Sequence, residues 1–528
     1  MLRMVPSSRS LYPVFILAPL LASALNVSIP LAALSTVPAV APELISLSIE
    51  QDRWVDWAGT SAPNVFFYNA LDNMVQITGE PPWIRIGADS EDHTIFSPGV
   101  EYEEDIFPPS TAITPYPEAT NISAGYAFYE IISHLPAGTH VHWGVNLGQY
   151  NITAAYLETK AMIEAFNTPA VKQAGITLDF IEVGNEADLY ISNGARNSSW
   201  DPTEYISQWS TFAANVSDAA GLSPTSYTKF IGGAFAGSSH NVTWFSPQAI
   251  FFGGILNSEP GSLIRTISQH DYSGSFCTGS GAVLQQLMTK SYIRGNISVF
   301  IPDISATHAQ GLDYIIGEGN SMSCHGAPGV SNTAGAALWV LDYSFFASQV
   351  GISRLHFHEG IGYKYNFIQP VTLNYSILDG SPITPLPPHI QPPYYAAIIA
   401  AEAIGSSGDT KAIEIAVNNA NITGYAFYEN GALSRALFIN LLAYLPGDSV
   451  RTSTHLDLNL GGYGVSPETM SLKRLEIGYA NDTSGLTWGG QTYETSDARV
   501  SGQEVLQYIP VSAGIDIQET EVVLVQFL

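Results

Sequence analysis

From residue 44 to residue 404, short continuous apolar runs alternate with longer segments whose apolar positions recur at helical spacing. Continuous runs suit strands buried on both faces, and their alternation with helices predicts βα units around a parallel sheet. Eight strands are predicted, over 44–49, 83–87, 140–146, 178–183, 230–234, 264–270, 314–317 and 354–358. Helices are expected between them, including 124–133, 154–166, 202–220 and 330–349. This is the pattern of an α/β chain folded as a (β/α)8 TIM barrel with long loops after its strands. A proline-rich turn around 384–393 precedes a last barrel helix over 394–404.

Beyond that helix the pattern changes to short β runs, at 412–417, 422–429, 433–442, 451–457, 471–477, 505–509 and 521–527. Their spacing predicts an antiparallel β-sandwich over 405–528, following the catalytic barrel over 44–404. The Pro-punctuated segment 25–43 is expected to pack with that second domain.

Residues 1–24 have the make-up of a secretory signal. Arg3 and Arg9 precede an apolar run over 11–21, and Ala22-Ser23-Ala24 supplies small residues for cleavage. No later run is long enough to span a bilayer. With 19 Lys and Arg against 47 Asp and Glu, the net charge of −28 repels nucleic acid and anionic membranes. Ten Asn-X-Ser/Thr sequons, Asn26 to Asn481, fit passage through the secretory route, most of them expected on surface loops. The expectation is a secreted, extracellular monomer with no membrane or nucleic-acid partner. Two cysteines, Cys277 and Cys324, suit a disulfide in an oxidising compartment, with two buried free thiols as the alternative. No cluster with metal-ligand spacing surrounds them, so neither metal nor cofactor is expected.

The chemistry concentrates at strand ends. The fourth strand stops at Gly184-Asn185-Glu186, and the seventh runs into Gly317-Glu-Gly-Asn-Ser321. Two glutamates at the C-terminal rim of one barrel are the minimum equipment for cleaving a glycosidic bond. Separated by about 5–5.5 Å, they would perform double displacement, with Glu318 as nucleophile and Glu186 as acid/base. The bland alternative is a pair of structural acids. Arg85 lies in an apolar strand where an unpaired guanidinium is costly, so Glu318 is its simplest partner and a structural Arg–Asp pair the alternative. His270 and Tyr272 share one face of the sixth strand, and Tyr272 is placed to donate to Glu318. His356 and His358 share a face of the eighth, and polar barrel filling is the simpler reading of them. Cys277 and Cys324 follow neighbouring strands, so a bond between them would stiffen the rim beside Glu318.

Together these residues resemble glycoside hydrolase family 79, the β-glucuronidase and heparanase family. The specific motifs are Val183-Gly-Asn-Glu-Ala187, Gly317-Glu-Gly-Asn-Ser321 and Gly326-Ala-Pro-Gly-Val-Ser-Asn-Thr333. The resemblance implies Glu186 as acid/base, Glu318 as nucleophile, Asn185 on the sugar 2-hydroxyl and Glu50 on the non-reducing sugar. It also implies His270 and Tyr272 as the sixth-strand pair. The loop at Ser323, Cys324, His325 and Gly326 corresponds to the one that holds the substrate carboxylate in this family. The heparanase branch has a Tyr and consecutive glycines there. A second candidate for that contact is Tyr363, Lys364 and Tyr365, with a solvated rim lysine as the plain alternative for Lys364. Lys and Arg are too scarce for a basic cleft, so exo-removal of terminal β-glucuronic acid, with or without a 4-O-methyl group, is expected from an uncharged or lightly charged glycan or glycoside. The alternatives are a neutral-sugar retaining glycosidase of the same clan and a non-catalytic glycan-binding protein.

Overall fold

The computed structural model describes residues 24–528. The expected leader, apart from Ala24, lies outside the described residues. A closed barrel of eight parallel strands comprises Ile45–Glu50, Ile84–Gly87, His140–Val145, Thr177–Val183, Lys229–Phe235, Ile264–Ser275, Asp313–Ser323 and Leu355–Glu359. These are the eight predicted strands, in order. The sixth and seventh run further than expected because they stay paired beyond the barrel, out to Ser275 against Ser323.

Local chemistry explains the helix limits. Pro202–Ala220 begins where Asp201 accepts from the Thr203 and Glu204 amides, with Pro202 in the first turn, and ends at Gly221 in the left-handed region. Ala334–Val350 and Pro393–Ile404 are buried around nearly their whole circumference. They are sandwiched between the barrel and the second domain, where Phe345 packs on Tyr425 and Phe427. Arg294, held by Asp342 at 2.7 Å and Glu414 at 2.7 Å, ties the same seam.

The second domain is a sandwich of two sheets. One centres on Ile422–Glu429, Ala432–Asn440, Glu521–Phe527 and Thr469–Glu476. The other has three strands, Leu25–Pro30, Ser453–Gly461 and Ile515–Gln518. The last of these was not anticipated from the pattern, being only four residues long. Val27, Ile29, Leu456 and Ile517 face Phe438, Met470, Val523 and Val525 in one apolar cluster. No described helix is long and apolar enough to cross a membrane. The sequons do not favour loops as expected. Asn26, Asn121, Asn215, Asn296 and Asn374 sit in strands or helices, since the tripeptide carries no conformational preference of its own.

Candidate active site

The fourth strand stops because Gly184 takes φ +82, with room for no side chain: a Cβ there would sit 2.6 Å from that of Leu147. Asn185 and Glu186 then turn into the barrel mouth, Glu186 itself at φ 47, its amide donating to the Ala234 carbonyl at 2.8 Å. Buried Asp92 pins this corner by accepting from the Leu147 and Gly148 amides and the Tyr190 hydroxyl. Glu318 lies within the seventh strand, opposite His270, where the register of the sixth strand shifts. That irregularity aims His270 and Tyr272 at the acids.

One carboxylate oxygen of Glu186, one of Glu318 and a ring nitrogen of His270 all lie within 4.8 Å of one another. The two acids have opposite surroundings. Burial raises the Glu186 carboxyl well above the ordinary range, and the charge of Glu318 adds to it. Burial also opposes ionisation of Glu318, but His358, His270 and Arg85 and the Tyr272 hydroxyl outweigh it and hold this carboxyl far below the usual range. Arg85 Nη1 donates at 2.7 Å and Tyr272 Oη at 2.8 Å. His358 is pushed up to about 9, burial being overcome by Glu318 and Glu50. His270 is held down to about 4 by burial, so it stays neutral in mild acid. Its Nδ1 lies 3.0 Å from Glu186 Oε1, and a neutral ring there does not draw the proton off the acid.

These residues line a cavity of about 820 Å³ that also presents Glu50, Asn185, Ser323, His325, His358 and Tyr365. Glu50 Oε1 meets His358 Nε2 at 3.1 Å. Asn185 accepts from Arg85 Nη2 at 2.9 Å, which leaves its amide nitrogen for a ligand. Cys324, His325 and Gly326 all have positive φ and carry the chain sharply round the cavity wall. Cys277 and Cys324 are joined in a disulfide.

Two expected sugar contacts, Gly326 and Tyr363, lie behind the wall, as does Arg85. Arg85 is buried beneath Glu318 and cannot reach a sugar. Gly326 is packed against Ser331 and Tyr365. Tyr363 lies one layer back, stacked on the His325 ring at 3.7 Å. Lys364 is no rim lysine, because its buried side chain donates to the Ile113 carbonyl at 2.8 Å. His356 sits deeper in the barrel against His142, away from the acids.

Sequence reasoning missed Glu182, Glu91 and Glu118. Glu182 offered a signal, an acid among apolar residues near the end of a buried strand, which must find a cation. Glu118 offered none, since it comes from an irregular loop to meet His325 Nε2 at 2.5 Å.

With this geometry in view, the chain was compared with known proteins. The profile described as "Glycosyl hydrolase family 79 C-terminal beta domain" matches residues 424–524. A β-glucuronidase of Aspergillus niger is 28% identical over 515 residues, covering 93% of this chain and 90% of that protein. These matches support glycoside hydrolase family 79 as the family of this chain. A β-glucuronidase of Neurospora crassa is likewise 28% identical, over 491 residues, covering 85% of this chain and 84% of that protein. Among solved structures, a 4-O-α-L-rhamnosyl-β-D-glucuronidase from Fusarium oxysporum superposes with TM-score 0.76 at 23% identity, covering 95% of this chain and all of the other. A family 51 arabinofuranosidase from Xanthomonas axonopodis pv. citri gives 0.61 at 12% identity, covering 96% of this chain and all of the other. That spread shows how widely the fold is shared. The chain is thus a glycoside hydrolase whose barrel mouth gathers two glutamates with opposed electrostatics.

Proposed function

We propose that this chain is a secreted, retaining exo-β-glucuronidase that releases terminal β-linked glucuronic acid by double displacement. The observation that carries the reading is the carboxylate pair: oxygens of Glu186 and Glu318 within 4.8 Å, one carboxyl pushed up and the other held down. That spacing suits direct attack, because an inverting enzyme separates its carboxyls by about 6.5–9.5 Å to admit a water.

Glu318 attacks the anomeric carbon as a carboxylate, held in line by Arg85 and Tyr272. Glu186 gives its proton to the leaving oxygen, then takes one from the water that hydrolyses the glycosyl ester. It is suited to this exchange because its side chain is 22% exposed, against 7% for Glu318. Asn185 offers its free amide to the 2-hydroxyl, and Glu50 accepts from a hydroxyl at the far end of the sugar. The sugar carboxylate is met by the charged His358 and by Ser323 and the sharply turned loop after it. Both curated relatives are β-glucuronidases, which supports the choice of sugar.

The deciding experiment is covalent trapping with a glucuronic-acid-configured cyclophellitol-type inactivator, followed by peptide mapping. A label on Glu318 is expected. A label elsewhere, or p-nitrophenyl β-xyloside or β-glucoside turned over far better than the β-glucuronide, would overturn the reading.

A further inference from the structure

Beneath the nucleophile, every N–H of the Arg85 guanidinium is engaged. Nη1 donates to Glu318 Oε2 at 2.7 Å and to Ser48 Oγ at 2.9 Å. Nη2 donates to Glu182 Oε1 at 2.6 Å and to Asn185 Oδ1 at 2.9 Å, and Nε donates to the same Glu182 oxygen at 2.9 Å. Glu182 and Arg85 are both fully buried. Glu182 lies on the fourth strand, four residues before Glu186 in the turn that follows it, so one strand and its turn carry the proton donor and a counter-ion for the arginine.

A third acid, Glu91, approaches Nη2 to 3.7 Å in the room left by Gly87 and Gly144, and neither of its oxygens has a hydrogen-bond partner. Burial and the neighbouring charge of Glu182 push its carboxyl well above the ordinary range.

We infer that Glu182 is the resident counter-ion of Arg85, a positioning residue that lets the arginine hold Glu318 without being neutralised by it. The inference rests on Glu318 being the nucleophile. During glycosylation Glu318 surrenders its negative charge to the new ester bond, and Arg85 would be left buried and unpaired were Glu182 absent. Glu182 therefore eases formation of the glycosyl-enzyme. Its loss would strengthen the grip of Arg85 on Glu318, slowing attack while favouring return of the carboxylate in hydrolysis of the ester. A purely structural acid would not move the two steps in opposite directions.

The test is Glu182→Gln in the full-length enzyme, using an activated aryl β-glucuronide with burst kinetics to separate the steps. The rate of glycosylation, and with it kcat/KM, is expected to fall tenfold or more, while hydrolysis of the intermediate holds or rises. Glu91→Gln, the comparator, is expected to change neither step by more than threefold. Equal loss in both steps, no change in either, or the split appearing in Glu91→Gln instead would overturn the inference. Should Glu182→Gln fail to fold, Glu182→Asp keeps the charge on a shorter arm. A twofold to fivefold fall confined to glycosylation is expected of it, and unchanged kinetics would equally sink the proposal. Labelling of wild-type enzyme at a residue other than Glu318 would instead mark failure of the underlying reading.

Discussion

At the scale of single residues, the site turns on two carboxyls made unequal by their neighbours. In the proposed mechanism Glu186 must be protonated to release the leaving group, so kcat/KM is expected to fall as pH rises through its elevated pKa. No acidic limb from Glu318 is expected until far below the ordinary carboxylate range. A pH–rate profile checks both limbs. Glu186→Gln is expected to lose about 10²–10⁴-fold on glucuronides with poor leaving groups, and distinctly less in the glycosylation step of an activated aryl glucuronide. Tyr272→Phe removes one hydrogen bond to Glu318, worth about 1.5–3 kcal/mol for a charged acceptor, so kcat/KM should drop by one to two orders of magnitude. Much of this was legible beforehand, since Glu186, Glu318, Arg85 and Tyr272 all stand at or near strand ends. What remained hidden was pairing. Arg85 was expected to need one acid and has two close ones, because periodicity places a residue on a face but does not say how many charges share it.

Among elements, the turn after the fourth strand and the loop after the seventh set the working geometry. Gly184→Ala would force a Cβ into Leu147 and the Tyr190 hydroxyl at a positive φ. It should cut activity sharply while the barrel still folds, read as lost turnover with near-normal circular dichroism. The Cys277–Cys324 bond closes a 47-residue separation, worth about 4 kcal/mol by chain entropy. The Cys277→Ser/Cys324→Ser variant is expected to melt earlier and to weaken glucuronide binding, measured by thermal scanning and KM. The eight barrel strands could be read from the sequence because a strand buried on both faces has no polar alternation to blur it. The extra length of the sixth and seventh could not. Their last turns, Tyr272-Ser-Gly-Ser275 and Gly319-Asn-Ser-Met-Ser323, are polar, and only mutual pairing makes them strand.

For the molecule as a whole, buried acids outnumber buried bases, and this fixes how stability responds to pH. Glu50, Asp52, Glu91, Glu158 and Glu359 are all pushed up by burial. The stability each contributes is present below its unfolded value and lost as pH rises through its folded one. His270 and His356, held down to about 4 and about 3, work the other way, costing stability as pH falls below their unfolded value. The acids are more numerous, and the net charge of −28 adds repulsion at higher pH. The melting temperature is therefore expected to be several degrees higher at pH 5.5 than at pH 8, by differential scanning. The strand Leu25–Pro30 has a bearing on assembly as well. It zips alongside Ser453–Gly461, from Leu25 against Leu456 to Pro30 against Gly461. A segment synthesised early thus waits for a partner that emerges some four hundred residues later, a closure of very high contact order. Without that strand Met470, Val523 and Val525 lose Val27 and Ile29 from the layer that covers them. Trimming residues 24–31 should turn clean refolding into clumping, visible as light scattering on dilution from denaturant.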